Sequence, residues 1–350
     1  LNVEDFNETS VPVTLSTQFH VDTQFTTQDL ALSLDMFSDR VLKPAVAAVA
    51  NKIDYDGLTM AKASTANIVG TAGTPPTSLL TYLNAAAYLD SEGAPRDGKR
   101  SMIVEPFTGA TIVDSLKGLF VPQDVIGEQY RKGLMGRDSA GMNWKMDQNV
   151  YSQTFGSYSG TATINTATDT GILTSGWAQY STLTLSNGST FTPNVGDTFT
   201  IAGVYAVNPQ NRAPYGSNKL RNFVVTSPVT ISSGGSASVT VSPAIITAGQ
   251  FQNVSIPSGS ATAAVTPFNQ AGAVSPQNII MHRNAFTLAV ADLELPEGVH
   301  FAGRASDKEI GLSMRVVRQY TINNDSIPTR LDVLYGWAPL YPELACRVAA

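Results

Sequence analysis

The sequence predicts an α+β protein, a mixed body interrupted by an inserted all-β module. Three observations predict it. Residues 11–26 alternate apolar and polar side chains with period two, and the period then changes to that of a helix. Charge nearly vanishes after Tyr151: residues 151–280 carry Asp169, Asp197, Arg212, Lys219 and Arg221, out of 22 Lys+Arg and 28 Asp+Glu in the chain. Beyond about residue 280 the earlier composition returns with two more alternating runs, Met314–Ile322 and Leu331–Trp337. The division that follows is 1–26 for an extended strand region, 27–150 for the body, 151–275 for the module, and 276–350 for the body's last strands.

In order, Val11, Val13, Leu15, Phe19, Val21 and Phe25 share one face of an extended segment. Sixteen extended residues would reach about 50 Å, near three times a usual strand. Such a segment is a strand bent between sheets, a projecting ribbon, or a long edge strand. A helix is predicted over 33–54, capped by Ser33, with Phe37, Val41, Ala45, Ala48 and Lys52 on one side. Pro44 would lie inside it and bend it, and Asp56-Gly57 would end it. A second helix is predicted over 77–90 with Leu80, Leu83, Ala87 and Tyr88 inward, a short strand over 101–105, and a third helix over 106–119 opening on Pro106. The Gly-dotted stretch 121–142 bears Glu128, Arg131, Lys132, Arg137 and Asp138. It reads equally as a subunit-contact surface or a solvated loop. Within 151–280, short β-branched runs are separated by turn pairs such as Asn187-Gly188, Asn208-Pro209 and Gly234-Gly235, the pattern of a sandwich or small barrel.

The 350 residues suffice for two or three domains. Charged residues make up 14%, against about 25% in an ordinary soluble domain, so the surface is coated by Ser, Thr, Asn and Gln or covered by other subunits. A net charge of −6 disfavours attraction to polyanions. No apolar run is long enough for a membrane helix. The start, Leu1-Asn2-Val3, carries no Met, and a preceding segment is expected to have been removed or left out.

Catalytic and cofactor chemistry is not legible. Cys346 is the single cysteine, and His20, His282 and His300 are scattered, so neither a disulfide framework nor a ligand-spaced metal site forms in the sequence. Asp54-Tyr55-Asp56-Gly57 imitates part of a calcium loop, but its register puts Ala63 where the bidentate Glu belongs. Gly156-Ser157-Tyr158-Ser159-Gly160 has Tyr where a nucleophile elbow needs Ser. Basic residues do not interleave with aromatics as a nucleic-acid groove requires. No cofactor and no enzyme activity are expected.

Three stretches resemble HK97-like phage major capsid proteins, most closely the coat proteins of short-tailed phages that carry an extra domain. They are Leu30–Asp54, with Asp35-Met36-Phe37-Ser38-Asp39-Arg40-Val41-Leu42-Lys43-Pro44; Val195–Pro209 continuing to Phe223-Val224-Val225; and Asn278–Phe286 with the tail Leu334–Trp337 through Pro342–Arg347. The resemblance implies that 1–26 is the return leg of an extended loop and that 33–54 is a spine helix. Gly196, Asp197, Asn208 and Pro209 would belong to the hairpin of the inserted barrel-like domain. It implies self-assembly through hexamers and pentamers into an icosahedral shell around double-stranded DNA, which is held without sequence-specific contacts. Scaffolding protein, portal and a decoration protein are the implied partners, and the virion capsid the implied location. Chemical cross-linking of subunits needs a Lys–Asn pair near a Glu, and the residues do not place one. A β-rich glycan-binding adhesin is the competing class, with Trp177, Tyr205 and Tyr215 as its aromatic candidates.

Overall fold

The computed structural model describes residues 8–26, 28, 42–115, 135, 140–216, 218–257, 262–268, 270–307 and 311–350. Few helices and many strands make a mixed α/β architecture. The chain divides into two compact units, one of Val11–Leu58 and Thr287–Ala338, the other of Leu1–Ser10, Thr59–Phe286 and Pro339–Ala350.

In the first unit, β1 (Thr17–Thr26) pairs antiparallel with β21 (Ser326–Pro339), from Thr17 opposite Tyr335 to Thr26 opposite Ser326. The sheet continues from β21 to β20 (Leu312–Arg318) and β19 (Phe301–Asp307), while β18 (Phe286–Ala291) also pairs with β21. The alternation in β1 keeps its phase: odd positions are half-buried and even ones exposed. Its length does not. Val11–Ser16 join no ladder, and β1 lies at the edge of this sheet rather than forming a free ribbon. Phe19 and Val21 pack against a core of Leu331, Val333 and Tyr335 with Ala45, Val49 and Ile53 of α1 (Lys43–Ser64). Asp332, fully buried, is held by a two-pronged contact from Arg315 (Nε to Oδ1 3.0 Å, Nη2 to Oδ2 2.6 Å) and by Gln18 at 3.1 Å, which staples three strands together.

One detail of α1 corrects the sequence reading, and another falls at the limit of the described residues. Pro44 is the second residue of α1, and Leu42 before it is also helical. The bend expected at Pro44 requires helix upstream, and residues 33–41 lie outside the described residues. The stop expected at Asp56-Gly57 does not occur, and the helix runs on to Ser64. Gly57 serves close approach instead: a Cβ there would stand 2.7 Å from the Trp337 ring. Trp337 is fixed by donating from Nε1 to the Ile53 carbonyl at 2.9 Å, and Tyr335 donates to Asp56 at 2.6 Å.

In the second unit, a 6-stranded sheet runs β2 (Ile68–Gly70), β22 (Ala345–Ala349), β17 (Val274–His282), β3 (Arg100–Val104), β4 (Asn143–Met146), with β5 (Ser152–Thr154) paired to β17. The β2–β22 and β3–β4 pairs are parallel. Helices α2 (Leu79–Ser91) and α3 (Pro106–Ser115) share a core with this sheet: Tyr82, Leu89, Met102, Val104, Ile112, Ile280 and Val348. Ser78 caps α2 by accepting from the Leu80 N–H at 3.2 Å. The inward face of α2 is not the expected one. Tyr82, Ala85, Ala86 and Leu89 are buried, and Leu80, Leu83 and Ala87 face outward. Both faces are apolar, so periodicity alone could not choose between them.

The same unit holds a 7-stranded sheet: β12 (Leu220–Val225), β13 (Gly235–Ser242), β9 (Ser181–Asn187), β7 (Ala162–Ile164), β16 (Ala263–Pro267), β11 (Thr198–Ala206), β15 (Val254–Ser255). Because β12 also pairs with β11, the pairing path closes on itself, and only β15 hangs off the ring. Closure leaves the ring strands without a free edge. Small ladders flank the ring: β6 (Ser157–Tyr158) with β10 (Phe191–Thr192), and β8 (Ile172–Leu173) with β14 (Ile245–Ile246). Leu183, Leu185, Phe199, Ile201, Phe223, Val239, Val241 and Val265 form a core of its own. The chain leaves the 6-stranded sheet at β5 and returns at β17, and these two strands pair with each other, Val274 opposite Thr154.

Candidate functional site

Where the closed ring meets the 6-stranded sheet, two polar clusters are buried. The first centres on Asp197, 1% exposed. Val195-Gly196-Asp197 turns the chain into β11, with Gly196 at φ +91°, a conformation that favours glycine. A side chain at 196 would also press on Lys62. The Asp197 carboxylate accepts from Gln153 Nε2 at 2.7 Å, from the Gly156 N–H at 2.8 Å, from the Asn194 N–H at 2.7 Å and from the Tyr158 hydroxyl. Burial, reinforced by the Asp197 charge, pushes the Tyr158 phenol up. Lys62 Nζ donates to Gln153 Oε1 at 2.8 Å and lies 4.1 Å from the centroid of the Tyr151 ring. Arg347 is completely buried and donates from Nη1 to the Gly196 carbonyl at 2.8 Å. Lys62 comes from the last turn of α1, Arg347 from β22, and Asp197 from the ring. Two cations of the body thus converge on one carboxylate of the ring.

Burial pulls the Lys62 ammonium down to about 8; Arg347 adds to this and Asp197 opposes it. Burial likewise pulls Arg347 down to about 10 against the pull of Asp197. The consequence for stability has a definite sign. Unfolded, Lys62 keeps its proton up to 10.5; folded, it releases it near 8. In that window the unfolded chain binds more protons, so the stability contributed by this group rises with pH. Below pH 8 the cost of holding a buried ammonium is fully present. The stability of the wild type relative to Lys62→Met is therefore expected to climb from pH 8 to pH 10.5, by up to about 3 kcal/mol. Paired thermal melts across that range measure it, and a pH-independent difference would contradict it.

The second cluster joins α2 to β12. Glu92, the C-cap of α2, accepts from Arg221 Nη1 at 2.7 Å, with both side chains under 10% exposed. Lys219 places its ammonium 3.2 Å from the centroid of the Tyr88 ring, and Tyr215 donates its hydroxyl to the Ser91 carbonyl. Burial lowers the Lys219 ammonium and raises the neighbouring Cys346 thiol, which suits packing and not nucleophilic chemistry.

The residues singled out from sequence fall in several places. Gly196 and Asp197 precede β11 and sit in the first cluster. Asn208 and Pro209 follow β11 at its other end, where the Asn208 N–H donates to the Ala213 carbonyl at 3.0 Å and the Asn208 Oδ1 accepts from the Gln210 N–H at 2.9 Å. Glu128, Arg131, Lys132, Arg137 and Asp138 lie outside the described residues. Lys62, Gln153, Glu92 and Arg347 were not found from sequence. One signal pointed toward Arg221 and Lys219: in a stretch with so few charges, each retained charge needs a reason. Among the described residues, no group of His, Cys, Asp and Glu could hold a metal ion, and no helix is long and apolar enough to cross a membrane.

The arrangement is a set of structural clamps. The family model described as P22 coat protein, gene protein 5, matches residues 2–347. The chain belongs to the P22 coat protein family. It is a major capsid protein of a tailed phage, a structural protein whose place is the virion capsid and whose work is assembly into the capsid shell. The glycan-binding alternative has no support.

This P22-family coat protein is similar in structure to three phage proteins at low identity. A structure titled Mycobacterium phage Che8 shares 10% identity at TM-score 0.42, covering 97% of this chain and 76% of the other. The asymmetric unit of the bacteriophage PhiM1 mature capsid shares 9% at TM-score 0.42, covering 100% and 77%. The capsid of the cyanophage P-SCSP1u shares 10% at TM-score 0.39, covering 100% and 80%. No curated protein matches the chain.

Proposed function

We propose that the chain folds as an HK97-like capsid subunit in which residues 151–275 are an inserted barrel-like domain, and that it builds an icosahedral shell of hexamers and pentamers around double-stranded DNA. The observation that carries this reading is the closed strand ring with its own core, entered and left through the paired strands β5 and β17. Adjacent ends are what a tolerated domain insertion requires. The two buried clusters then hold the insertion in one orientation on the body, so that every copy presents the same surface to its neighbours. Residues 1–26 serve as the return leg of an extended loop with its strand, 27–150 and 276–350 as the body, and the helix that runs on to Ser64 as the spine, with Pro44 as its bend. Glu128, Arg131, Lys132, Arg137 and Asp138 are assigned to subunit contacts. A net charge of −6 keeps packed DNA from adhering to the wall. Scaffolding protein, portal and a decoration protein are proposed partners, and the chain works without catalysis.

Electron microscopy and light scattering of the purified full chain test the proposal. Closed megadalton shells with icosahedral symmetry are expected. A population of monomers that never assembles, with or without the phage's other head proteins, would overturn it.

A further inference from the structure

Strand β17 ends on His282, whose side chain is 1% exposed. Just beyond it, after Phe286, the chain passes out of the second unit, and it re-enters that unit at Pro339. The turn at 282–285 ties these two passages together. Ala285 donates its N–H to the His282 carbonyl at 3.0 Å, and its own carbonyl accepts from the N–H groups of Leu340 and Tyr341, both at 3.0 Å. The imidazole braces the same turn. Its Nδ1 lies 3.4 Å from the Asn284 nitrogen, and its Nε2 lies 3.2 Å from Asp97 Oδ1. A backbone N–H can only donate, so Nδ1 accepts and carries no proton. The ring proton then sits on Nε2 and is donated to Asp97.

A neutral ring satisfies both neighbours, and a charged one cannot. The second proton has only Nδ1 to go to, where it would meet the Asn284 N–H donor to donor. The charged groups on the elements beside the ring do not offset this. Arg100, opposite His282 in the ladder with β3, is committed to Asp90 at 2.7 Å and to the Pro95 carbonyl at 3.0 Å. Asp97 would attract the imidazolium, but its side chain is 36% exposed and already shared with the Lys99 ammonium at 3.6 Å, so water and Lys99 weaken the gain. Arg283 follows in the chain and is exposed, and Glu343 lies in the turn before β22. We infer that the His282 imidazole is a proton-operated latch on the 282–285 turn, closed while the ring is neutral and released when Nδ1 is protonated. Release loosens the hold of Ala285 on Leu340 and Tyr341.

Two measurements on the full chain test the latch. Nitrogen NMR of the histidine rings at about pH 8 is expected to find the His282 proton on Nε2; a proton on Nδ1 would overturn it. Hydrogen exchange read by mass spectrometry is expected to show the amides of Asn284, Leu340 and Tyr341 losing protection by roughly tenfold, the effect of one lost buried hydrogen bond, between about pH 8 and about pH 5 after correction for the intrinsic rate. Constant protection across that range overturns the latch, and so does an equal fall in His282→Gln, where an amide replaces the titrating ring. Should that variant fail to fold, Asp97→Asn decides. It removes the anion facing Nε2, so release is expected at a lower pH than in the wild type, and release at an unchanged pH overturns the latch. Assembly enters none of these readouts, so their failure would leave the coat-protein reading standing.

Discussion

Asp197→Ala is expected to destabilise the second unit by about 3–5 kcal/mol, the range for removing one partner from a buried charged cluster. The reason lies in the traffic around that carboxylate. It takes two backbone N–H groups, the Gln153 amide and the Tyr158 hydroxyl, and it is the anion facing Lys62 and Arg347. Removing it orphans several buried donors together and leaves two buried cations facing each other. Arg347 already carries two guanidinium nitrogens, Nε and Nη2, without a hydrogen-bond partner, so it has little else to lean on. A fall in the melting midpoint of roughly 10 °C corresponds to this loss in a unit of this size. Differential scanning calorimetry of the unassembled subunit reads it directly, and a shift within a degree or two would show that the cluster contributes no net stability.

Breaking the Arg221–Glu92 pair has the next largest expected effect. Either Arg221→Met or Glu92→Met strands an opposite charge under 10% exposed, at a cost of about 3–5 kcal/mol. Glu92 alone would be worse placed than most carboxylates, because it caps the C-terminus of α2, where the helix dipole is negative. The double variant, with neither charge, is expected to recover most of that loss, since apolar groups of similar volume replace a buried pair at little cost. Urea unfolding of all four proteins gives the coupling energy. Losses that simply add would mean that the two side chains do not act as a pair.

Much of this architecture was legible in the residues. The alternation through 17–26 placed Phe19 and Val21 on the core side correctly, because a strand exposes its faces strictly by turns. The short strand near 101–105 and the helix opening on Pro106 also lie close to where their signals stood. The errors share a cause. The continuation of α1 through Gly57 depends on a Trp337 ring arriving from 280 positions away in the chain, and the start of β1 at Thr17 is set by where its ladder with β21 ends, at Tyr335, although β21 itself runs on to Pro339. The choice of inward face on α2 was undecidable locally, since both faces are apolar.

What the sequence by itself determined was the period of each element, the poverty of charge across residues 151–280, and the family motifs, all properties of neighbouring residues or of composition. The tertiary structure alone decided that the strand ladder closes through β12 and β11, and that Lys62 meets Gln153, Glu92 meets Arg221 and Gly196 meets Arg347, across separations of 91, 129 and 151 residues. Such pairings carry no local periodicity. They exist because a charge forced out of water must find its counterpart wherever the fold brings one near.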